Sequence, residues 1–341
     1  MKQNTQEKVM NNPGFNLKDQ NILITGGLGF IGSNLAHKCL ELGAEVTIYD
    51  NLDPRSGGNL YNIHDVQDSI ELCFSDILNF DKLSQKVVNK DIIFNCAAST
   101  SHPFSMREPW IDLDVNSRGV INLLEAIRRF NGEVKFVHIG TSTQLGKLQY
   151  QPADENHPEF PTDIYSANKS VSEKYVLIYS GAYQVQATVL RLSNVFGPRA
   201  SIHSPDFTFN NYFVGLALQD KEITVFGDGA QKRNVIYVSD AVDAIISAGR
   251  SENVEGETFF VVGDKHFSVA EIAEATVRYI SKGRVNFIPW PHDRKITEIG
   301  DAIISNQKIK ERMNWSPQYD MENGLVKTKE FYENCLEQYL K

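Results

Sequence analysis

The sequence has few cysteines and no long apolar run. Its 341 residues include only Cys39, Cys73, Cys96 and Cys335, which are far apart and form no CxxC pair. This spacing predicts neither a metal site nor a disulfide framework, so we expect reduced thiols in a cytoplasmic protein. No segment approaches the ~18 apolar residues of a membrane span. The polar first twenty residues lack the apolar core of a secretion signal, so no membrane partner is expected.

An excess of positive charge is also missing. The chain carries 34 Lys and Arg against 43 Asp and Glu, for a formal net charge of −9. A non-specific nucleic-acid binder needs the opposite balance on at least one face, so we expect no nucleic-acid partner. Any phosphate that this protein holds must therefore be bound by a local site rather than by a general basic surface.

Short apolar segments alternate with amphipathic ones over the first 192 residues. Strands are predicted at 21–25, 45–50, 70–75, 91–97, 135–140 and 187–192, and helices at 31–42, 79–89, 114–130 and 164–181. This alternation indicates βαβ units and predicts an α/β protein with a Rossmann-type doubly wound parallel sheet. Ligands of such sheets bind beyond the carboxyl ends of the strands, so the residues just after each strand are the most informative.

The alternation becomes less regular after residue 193. Helical patterns are predicted at 205–219, 239–250, 268–281 and 319–338, separated by loops rich in Pro, Gly and Asn. We predict an N-terminal extension at 1–20, a nucleotide-binding domain at 21–192 and a smaller mixed C-terminal substrate lobe at 193–341. Segments near 233–263 are expected to return to the main sheet, and the two parts should enclose a cleft.

The first predicted strand continues directly into TGGLGFIGSNL, with Gly26, Gly29 and Gly32 spaced three apart. In this pattern the first glycine permits a tight turn, the second lets the backbone approach a pyrophosphate, and the third lets the helix pack against the strand. A Gly-rich turn without a ligand is the simpler interpretation. The strand before the turn and the helix after it favour dinucleotide binding, in which Phe30 and Ile31 also take part.

An acidic residue ends the second strand. Asp50 lies eighteen residues after Gly32, where a carboxylate would accept hydrogen bonds from an adenosine ribose and repel a 2′-phosphate. This position favours NAD over NADP, although the nearby Arg55 could in principle bind such a phosphate. Most of the other predicted cofactor contacts follow the later strands or adjoin these residues, and they are Asn51, Asp76, Ile77, Ala97, Ala98 and Ser99. Asn116, in the helix predicted at 114–130, completes the set.

Candidate catalytic residues follow the fifth strand. Thr141 comes at the strand end, and Tyr165 and Lys169 lie one helical turn apart in YSANK. A Tyr and a Lys at this spacing should occur about once by chance in such a chain, so the pair alone is weak. We expect the ammonium and a cationic nicotinamide ring to lower the pKa of Tyr165, which would make it usable as an acid or base.

Taken together, these motifs resemble the extended short-chain dehydrogenase/reductase family, and within it the NAD-dependent nucleotide-sugar epimerases and dehydratases. The resemblance covers roughly residues 20 to 330. Its motifs are TGGLGFIG, DNL, SDI, NCAAST, DVN, GTSTQLG, YSANK, LRLSNVFGPR and VFGDGAQKRNVIYVSDA. It implies that Tyr165, Lys169 and Thr141 form the family's catalytic triad and that NAD is the cofactor. A homodimer through the helices near 112–130 and 164–181 is also implied.

The same resemblance implies a site for a nucleotide-diphosphate sugar. Asn194 and Arg233 match residues on the substrate diphosphate, Arg294 resembles a second basic contact, and Asp301 would lie near the nucleotide ribose. The complete set of predicted substrate-binding residues is Ser142, Thr143, Asn194, Arg199, Val225, Arg233, Arg294 and Asp301. Without the family context, the arginines would be interpreted as surface charges.

Departures from the family pattern narrow the expected activity. Dehydratases of the family carry Asp and Glu directly after the catalytic Thr, whereas this chain has Ser142 and Thr143. Neither hydroxyl is an adequate acid or base for eliminating water, so dehydration is not expected. Leu145 also replaces an aromatic residue, and Asn234 replaces an Asp. Both replacements affect the placement of the substrate.

The expected activity is therefore UDP-hexose 4-epimerisation through a transient 4-keto sugar, with tightly bound NAD. Two alternatives remain open within the enzyme class: 2-epimerisation of a CDP-sugar and 4-oxidation of a nucleotide sugar without inversion. A third alternative, from another class, is a non-catalytic NAD-binding regulator. Such a regulator would be free to lose Tyr165 or Lys169, and this chain has both.

Overall fold

A computed structural model describes residues 16–53, 55–291, 295 and 298–340 of the chain. Its centre is a seven-stranded sheet in which every neighbouring pair is parallel. In chain order the strands are β1 (Asn21–Thr25), β2 (Glu45–Asp50), β3 (Ile70–Phe74), β4 (Ile92–Asn95), β5 (Lys135–Thr141), β6 (Gln186–Leu192) and β10 (Thr258–Val261). Across the sheet their order is β10-β6-β5-β4-β1-β2-β3. The predicted doubly wound parallel sheet is confirmed.

Helices cover both faces of this sheet. They are α1 (Phe30–Glu41), α2 (Phe80–Val87), α3 (His102–Arg107), α4 (Pro109–Leu113), α5 (Gly119–Phe130), α6 (Ile164–Tyr183) and α8 (Val238–Arg250). Successive residues of a strand point to opposite faces, and the core follows this alternation. Ile22 and Ile24 of β1 join the apolar cluster on one face, whereas Leu23 joins the cluster on the other.

The rest of the chain forms a smaller mixed lobe. It contains β7 (Asn194–Phe196), α7 (Phe209–Leu218), β8 (Glu222–Phe226), β9 (Lys232–Tyr237), β11 (His266–Ser268), α9 (Val269–Ile280), β12 (Arg284–Ile288), α10 (Gln307–Met313) and α11 (Met321–Glu333). Strands β11, β9 and β7 form one sheet, and β12 and β8 form another. The main sheet receives its last strand from this part of the chain, because β10 pairs with β6.

Three predicted helices differ from the structure by more than two residues at one end. The helix predicted at 205–219 begins at Phe209. The helix predicted at 114–130 begins with a π-helical turn, Asp114–Arg118, before α5. The helix predicted at 319–338 starts where the Asp320 side chain accepts a hydrogen bond from Asn323 N and ends at Glu333. Of the predicted extension, residues 1–15 lie outside the described residues, while Leu17 is buried and its N–H donates to Leu42 O at 3.0 Å.

Candidate functional site

The carboxyl ends of the central strands open into a cleft, and the Gly-rich turn forms its floor. Gly26, Gly29, Phe30, Ile31 and Gly32 all line it. The turn has no room for side chains: a Cβ at Gly26 would lie 2.6 Å from Ala97 N, and one at Gly32 would lie 2.3 Å from Gly26 O. Gly26 also has a φ of +68°, which favours glycine. The backbone is therefore open to a pyrophosphate at the start of α1.

Asp50 stands at the end of β2, on the wall of this cleft. Its carboxylate accepts hydrogen bonds from Leu28 N at 3.0 Å and Leu52 N at 2.7 Å. Burial raises the pKa of Asp50, and the two backbone bonds oppose this effect. A carboxylate offers about four lone-pair positions, so acceptors remain for the two hydroxyl groups of a ribose.

Arg55 lines the same cleft, but an acidic neighbour holds its guanidinium. Nε and Nη2 donate to the two carboxylate oxygens of Asp53 at 2.8 and 2.6 Å, and the guanidinium lies over the Phe104 ring. Bidentate pairing of this kind occupies the face that would otherwise bind a phosphate. The geometry thus supports the carboxylate of Asp50, rather than Arg55, as the group that meets the adenosine ribose.

Most of the other predicted cofactor contacts also reach the cleft. Those that line it are Asn51, Asp76, Ile77, Ala97, Ala98 and Ser99. Asn51 Nδ2 donates to Asp76 Oδ2 at 2.7 Å, which links the loops after β2 and β3. Asn116 is buried behind the wall, where it accepts from Ser99 N at 3.2 Å and donates to Ser99 O at 2.8 Å. Asn116 therefore supports the loop that follows β4.

The three candidate catalytic residues come together beside these contacts, and all three line the cleft. Asp163 caps α6 by accepting from Ser166 N at 2.8 Å, which sets Tyr165 in the first turn of the helix. The Thr141 side chain lies beside the Tyr165 hydroxyl and lowers the pKa of the phenol. Burial is the larger effect, however, and it raises that pKa. Loss of water around the 9% exposed Tyr165 outweighs the Thr141 contact, so the expected lowering of this pKa depends on the positive charge of Lys169 and a nicotinamide ring and stays a prediction.

Lys169 lies one turn further along α6 and is almost fully buried. Its Nζ donates to Ile139 O at 2.5 Å, which anchors it at the end of β5. Burial lowers the pKa of Lys169 to about 8, and the nearby Cys96, Asp112 and Glu173 oppose this lowering. The ammonium form therefore predominates at neutral pH, where it can donate to a cofactor ribose.

Hydroxyl groups surround the end of β5. Thr141 caps a short 3₁₀ turn, Ser142–Leu145, by accepting from Thr143 N at 3.2 Å. The Thr143 hydroxyl is 3.1 Å from that of Thr141 and 2.9 Å from that of Ser166, and Ser142 lines the cleft. The positions that follow Thr141 therefore supply hydrogen bonds but no carboxylate.

The predicted substrate-binding residues are only partly brought together. Asn194 lines the cleft and donates to Asn234 O at 2.9 Å. Val225 does not reach the cleft, because β8 buries its side chain in the core of the smaller lobe. Arg199 is also held away from it: Nε donates to Asn62 O at 3.1 Å, Nη1 donates to Asn34 Oδ1 at 3.1 Å, and the guanidinium lies over Phe331.

Arg233 and Asp301 lie near each other at the start of β9, outside the residues that line the cleft. Arg233 Nη2 pairs with Glu298 Oε1 at 2.7 Å and Nη1 donates to Gly300 O at 2.7 Å. Asp301 Oδ1 accepts from Lys232 N at 2.8 Å. Arg294 lies outside the described residues. The diphosphate contacts of Arg233 and Arg294 and the ribose contact of Asp301 therefore stay predictions.

Sequence reasoning missed two features of the site. The first is His102, which lines the cleft against Tyr165 and hydrogen-bonds Asp163. The second is a buried network beneath the catalytic turn, in which Gln144 Nε2 donates to Glu173 Oε2 at 2.9 Å and Glu173 pairs with Arg191 at 2.6 Å. The partners lie 29, 18 and 61 residues apart, so no local pattern could reveal them.

Comparison with known proteins adds the family. A model of the NAD-dependent epimerase/dehydratase family matches residues 22–263, which is more than half of the chain. The chain belongs to this family. Together with the glycine turn and Asp50, this makes NAD the cofactor of the cleft. NAD, when bound, supplies reversible two-electron oxidation of the substrate. Among the described residues, no helix is long and apolar enough to cross a membrane.

Similar members of the family differ in activity. A putative UDP-glucose 4-epimerase from Methanocaldococcus jannaschii is 31% identical, with 92% of this chain and 98% of that protein covered. A UDP-N-acetyl-α-D-glucosaminuronate decarboxylase from Bacillus cytotoxicus is 29% identical, with 91% and 97% covered. The crystal structure of UDP-glucose 4-epimerase from Thermotoga maritima has a TM-score of 0.82 at 28% identity, covering 93% of this chain and all of that one. The comparisons thus give the class, NAD-dependent enzymes of nucleotide sugars.

Proposed function

We propose that this protein is a nucleotide-sugar 4-epimerase whose substrate is a UDP-hexose. The observation that carries the proposal is the composition of the cleft at the end of β5. Tyr165, Thr141 and Lys169 meet there beside the glycine turn, while Ser142 and Thr143 supply only hydroxyl groups. These residues can support the oxidation of a sugar hydroxyl to a ketone and the reduction of that ketone back to a hydroxyl. The set lacks the carboxylates after Thr141 that elimination of water would use.

Each residue of the triad has a distinct task in this proposal. Tyr165 takes the proton of the sugar hydroxyl at C4 and later returns it, acting in turn as base and acid. Thr141 hydrogen-bonds the same oxygen, since its hydroxyl already faces that of Tyr165. Lys169 holds the nicotinamide ribose, and its ammonium and the nicotinamide ring together supply the positive charge that opposes the effect of burial on the pKa of Tyr165.

Inversion further requires that the sugar turn while the nucleotide stays fixed. Arg233 is the candidate anchor, because a guanidinium can bind a diphosphate through two hydrogen bonds. It is paired with Glu298 in the structure, so anchoring would exchange this carboxylate for a phosphate. Asn194 would supply a second contact from the cleft wall. A fixed nucleotide with a free sugar lets one bound NAD act on both faces of the ring.

A panel of nucleotide sugars tests the proposal. The purified protein with its bound NAD is incubated with UDP-, GDP-, CDP- and dTDP-sugars, and products are identified by NMR while the NADH absorbance band is followed. We expect inversion at C4 of a UDP-hexose without net NADH. Accumulated NADH or a released keto sugar would instead indicate 4-oxidation, and inversion at C2 would indicate a CDP-sugar 2-epimerase. Bound NAD without any turnover would indicate a regulator.

We further propose that the protein is a homodimer. Helices α4 and α6 pack against each other, and each has large apolar side chains on its outer surface. Trp110 is 77% exposed on α4, and Ile178 is 56% exposed on α6, with Val171 exposed two turns earlier on the same helix face. Exposed apolar side chains in this number on neighbouring helices are typical of a protein–protein contact. Of the two helices for which the family resemblance implies an interface, near 112–130 and 164–181, the second is α6, and Trp110 lies just before the first.

A further inference from the structure

A histidine occupies a wall of the cleft that the proposed epimerisation does not use. His102 begins α3, and the Ser101 side chain caps this helix by accepting from Phe104 N at 3.1 Å. Its ring packs edge-on against the ring of Tyr165, with 4.7 Å between centroids and 72° between planes. The side chain is 38% exposed, and it lines the cleft together with Thr141 and Tyr165. The imidazole is therefore next to the catalytic phenol and open to a ligand.

Asp163 fixes the orientation of this ring. Its Oδ2 is 2.7 Å from His102 Nδ1, and its Oδ1 accepts from Ser166 N at 2.8 Å. Burial raises the pKa of Asp163, but the hydrogen bond and the charge of His102 bring it below its ordinary value, so the carboxylate is ionised. An ionised carboxylate can only accept. Nδ1 therefore carries the proton, and in the neutral ring the lone pair is on Nε2.

The position of His102 suggests a separate task. Tyr165 and Thr141 already bind the hydroxyl group that is oxidised. A second base in the same cleft would therefore take a proton from a different atom of the sugar. Oxidation at C4 makes the neighbouring C–H bonds acidic, because the carbonyl group accepts their electrons. An imidazole oriented by a carboxylate presents one lone pair in a fixed direction, which suits it to removing such a proton.

We propose that His102, oriented by Asp163, is a second acid/base residue that exchanges the proton on a sugar carbon next to the 4-keto group. This inference rests on the proposed function for its substrate class. Nε2 takes the proton from C3 or C5, the electron pair of that C–H bond moves toward the carbonyl carbon, and the carbonyl oxygen carries the resulting negative charge. Return of a proton to the same carbon restores the ketone, so nothing is oxidised or reduced.

The test supplies the ketone directly. The protein with bound NAD is incubated in deuterium oxide with UDP-4-keto-6-deoxyglucose, and NMR follows deuterium at C3 and C5 above the rate without protein. We expect enzyme-dependent exchange at one of these carbons. His102→Gln should reduce it by at least about a hundredfold, the range of a general base. The matched control is His64→Gln, because His64 stacks on Tyr61 and does not line the cleft. This variant should catalyse deuterium exchange at the rate of the original chain.

Asp163→Asn provides a second variant that does not depend on losing the imidazole. Asparagine can keep the cap on α6 through its Oδ1. Its amide NH₂ then faces His102 Nδ1, which must accept rather than donate. The proton moves to Nε2, so the lone pair is lost from the cleft. Exchange should fall strongly while bound NAD and the circular dichroism spectrum are unchanged.

The outcomes separate the two proposals. No exchange with the original chain, or equal exchange with His102→Gln, overturns the role of His102. Because the ketone is supplied, these results do not depend on oxidation at C4. If no nucleotide sugar of the panel is inverted at C4, the proposed epimerisation is overturned. The exchange on the supplied ketone can still be measured in that case.

Discussion

The phenol of Tyr165 lies where water cannot readily stabilise its charge. Burial raises its pKa, and the Thr141 contact only partly offsets this. A phenolate at this position thus depends on positive charge brought near it. Lys169 is one source, since its buried ammonium is fixed to the end of β5 by Ile139 O. Because both the phenol and the ammonium are buried, the site should be sensitive to the loss of either residue.

Replacing Tyr165 by phenylalanine tests its role. Tyr165→Phe removes the hydroxyl but keeps the ring that packs against His102, so the cofactor contacts of the glycine turn and Asp50 persist. We expect NAD content to be unchanged and turnover to fall by a factor of about 10²–10⁴, the usual contribution of a general acid or base. The NAD content follows from absorbance after denaturation, and turnover from NMR.

Tyr150→Phe is the matched control, because Tyr150 is exposed and hydrogen-bonds Asp154 at 2.7 Å, away from the cleft lining. It should keep the turnover of the original chain. Full turnover in Tyr165→Phe would contradict the assignment of the base.

Among the elements, α8 links the main sheet to the C-terminal segment through one carboxylate. Asp240 is buried in its first turn, where Oδ1 accepts from Gln318 N at 2.8 Å and Oδ2 accepts from Tyr319 N at 3.0 Å. The Asp240 carbonyl also accepts from Trp315 Nε1 at 3.1 Å. Burial, the largest effect, raises the pKa of Asp240 from 3.8 to about 6.

This shift predicts a pH-dependent stability. Between about pH 4 and pH 6 the folded chain binds more protons at Asp240 than the unfolded chain does, so its contribution to stability is lost as the pH rises through this window. In Asp240→Asn this dependence of the stability on pH should be absent. This variant should also be less stable by about 1–3 kcal/mol, because an amide NH₂ faces a backbone N–H.

Thermal midpoints of both proteins between pH 4.5 and 7.5 give the measurement. The midpoint of the original chain minus that of Asp240→Asn should shrink as the pH rises to 7. A difference that is constant or grows over this range would contradict the raised pKa.

How far the sequence predicts the elements depends on the range of the interactions that form them. The six strands of the first 192 residues were predictable within two residues at each end, because they are apolar runs in a sheet covered on both faces. The glycine turn follows from local spacing, whereas the triad was predicted from its place after β5 and from the family resemblance. The π-helical turn Asp114–Arg118 was not predictable, because it is fixed by packing against α6 rather than by its own residues.

Prediction of the site residues is limited in the same way by long-range contacts. Thr141 and Tyr165 could be named because each follows a recognisable pattern, whereas the contact of His102 with Asp163 joins residues 61 positions apart. The side-chain direction of Val225 was likewise unreadable, and the structure turns it into the core. Arg199 has a φ of +69° and is held by Asn34 and Asn62, an arrangement without a sequence signal.

On the scale of the whole molecule, the apolar side chains of α4 and α6 predict association. Val171→Asp/Ile178→Asp places two like charges on the exposed face of α6. If this face is the dimer contact, the double variant should be a monomer by light scattering at concentrations where the original chain is a dimer, since unpaired buried charge is costly.

Phe287→Asp is the control, because Phe287 is 46% exposed on β12, in the smaller lobe. It should leave the dimer intact. A double variant that is still dimeric would place the contact elsewhere, and an original chain that is monomeric would contradict the dimer itself.

The return of the chain to the main sheet has a consequence for how the protein is made. During synthesis on a ribosome, the first six strands emerge before residue 193, yet β6 gains its outer neighbour only when Thr258–Val261 has followed. Until then β6 has an open edge able to pair with another strand. Only β7, α7, β8 and β9 of the smaller lobe are made inside this interval, because its remaining strands and helices follow β10 in the chain. A nascent chain halted between residues 193 and 257 would therefore be the form most exposed to aggregation and most in need of a chaperone.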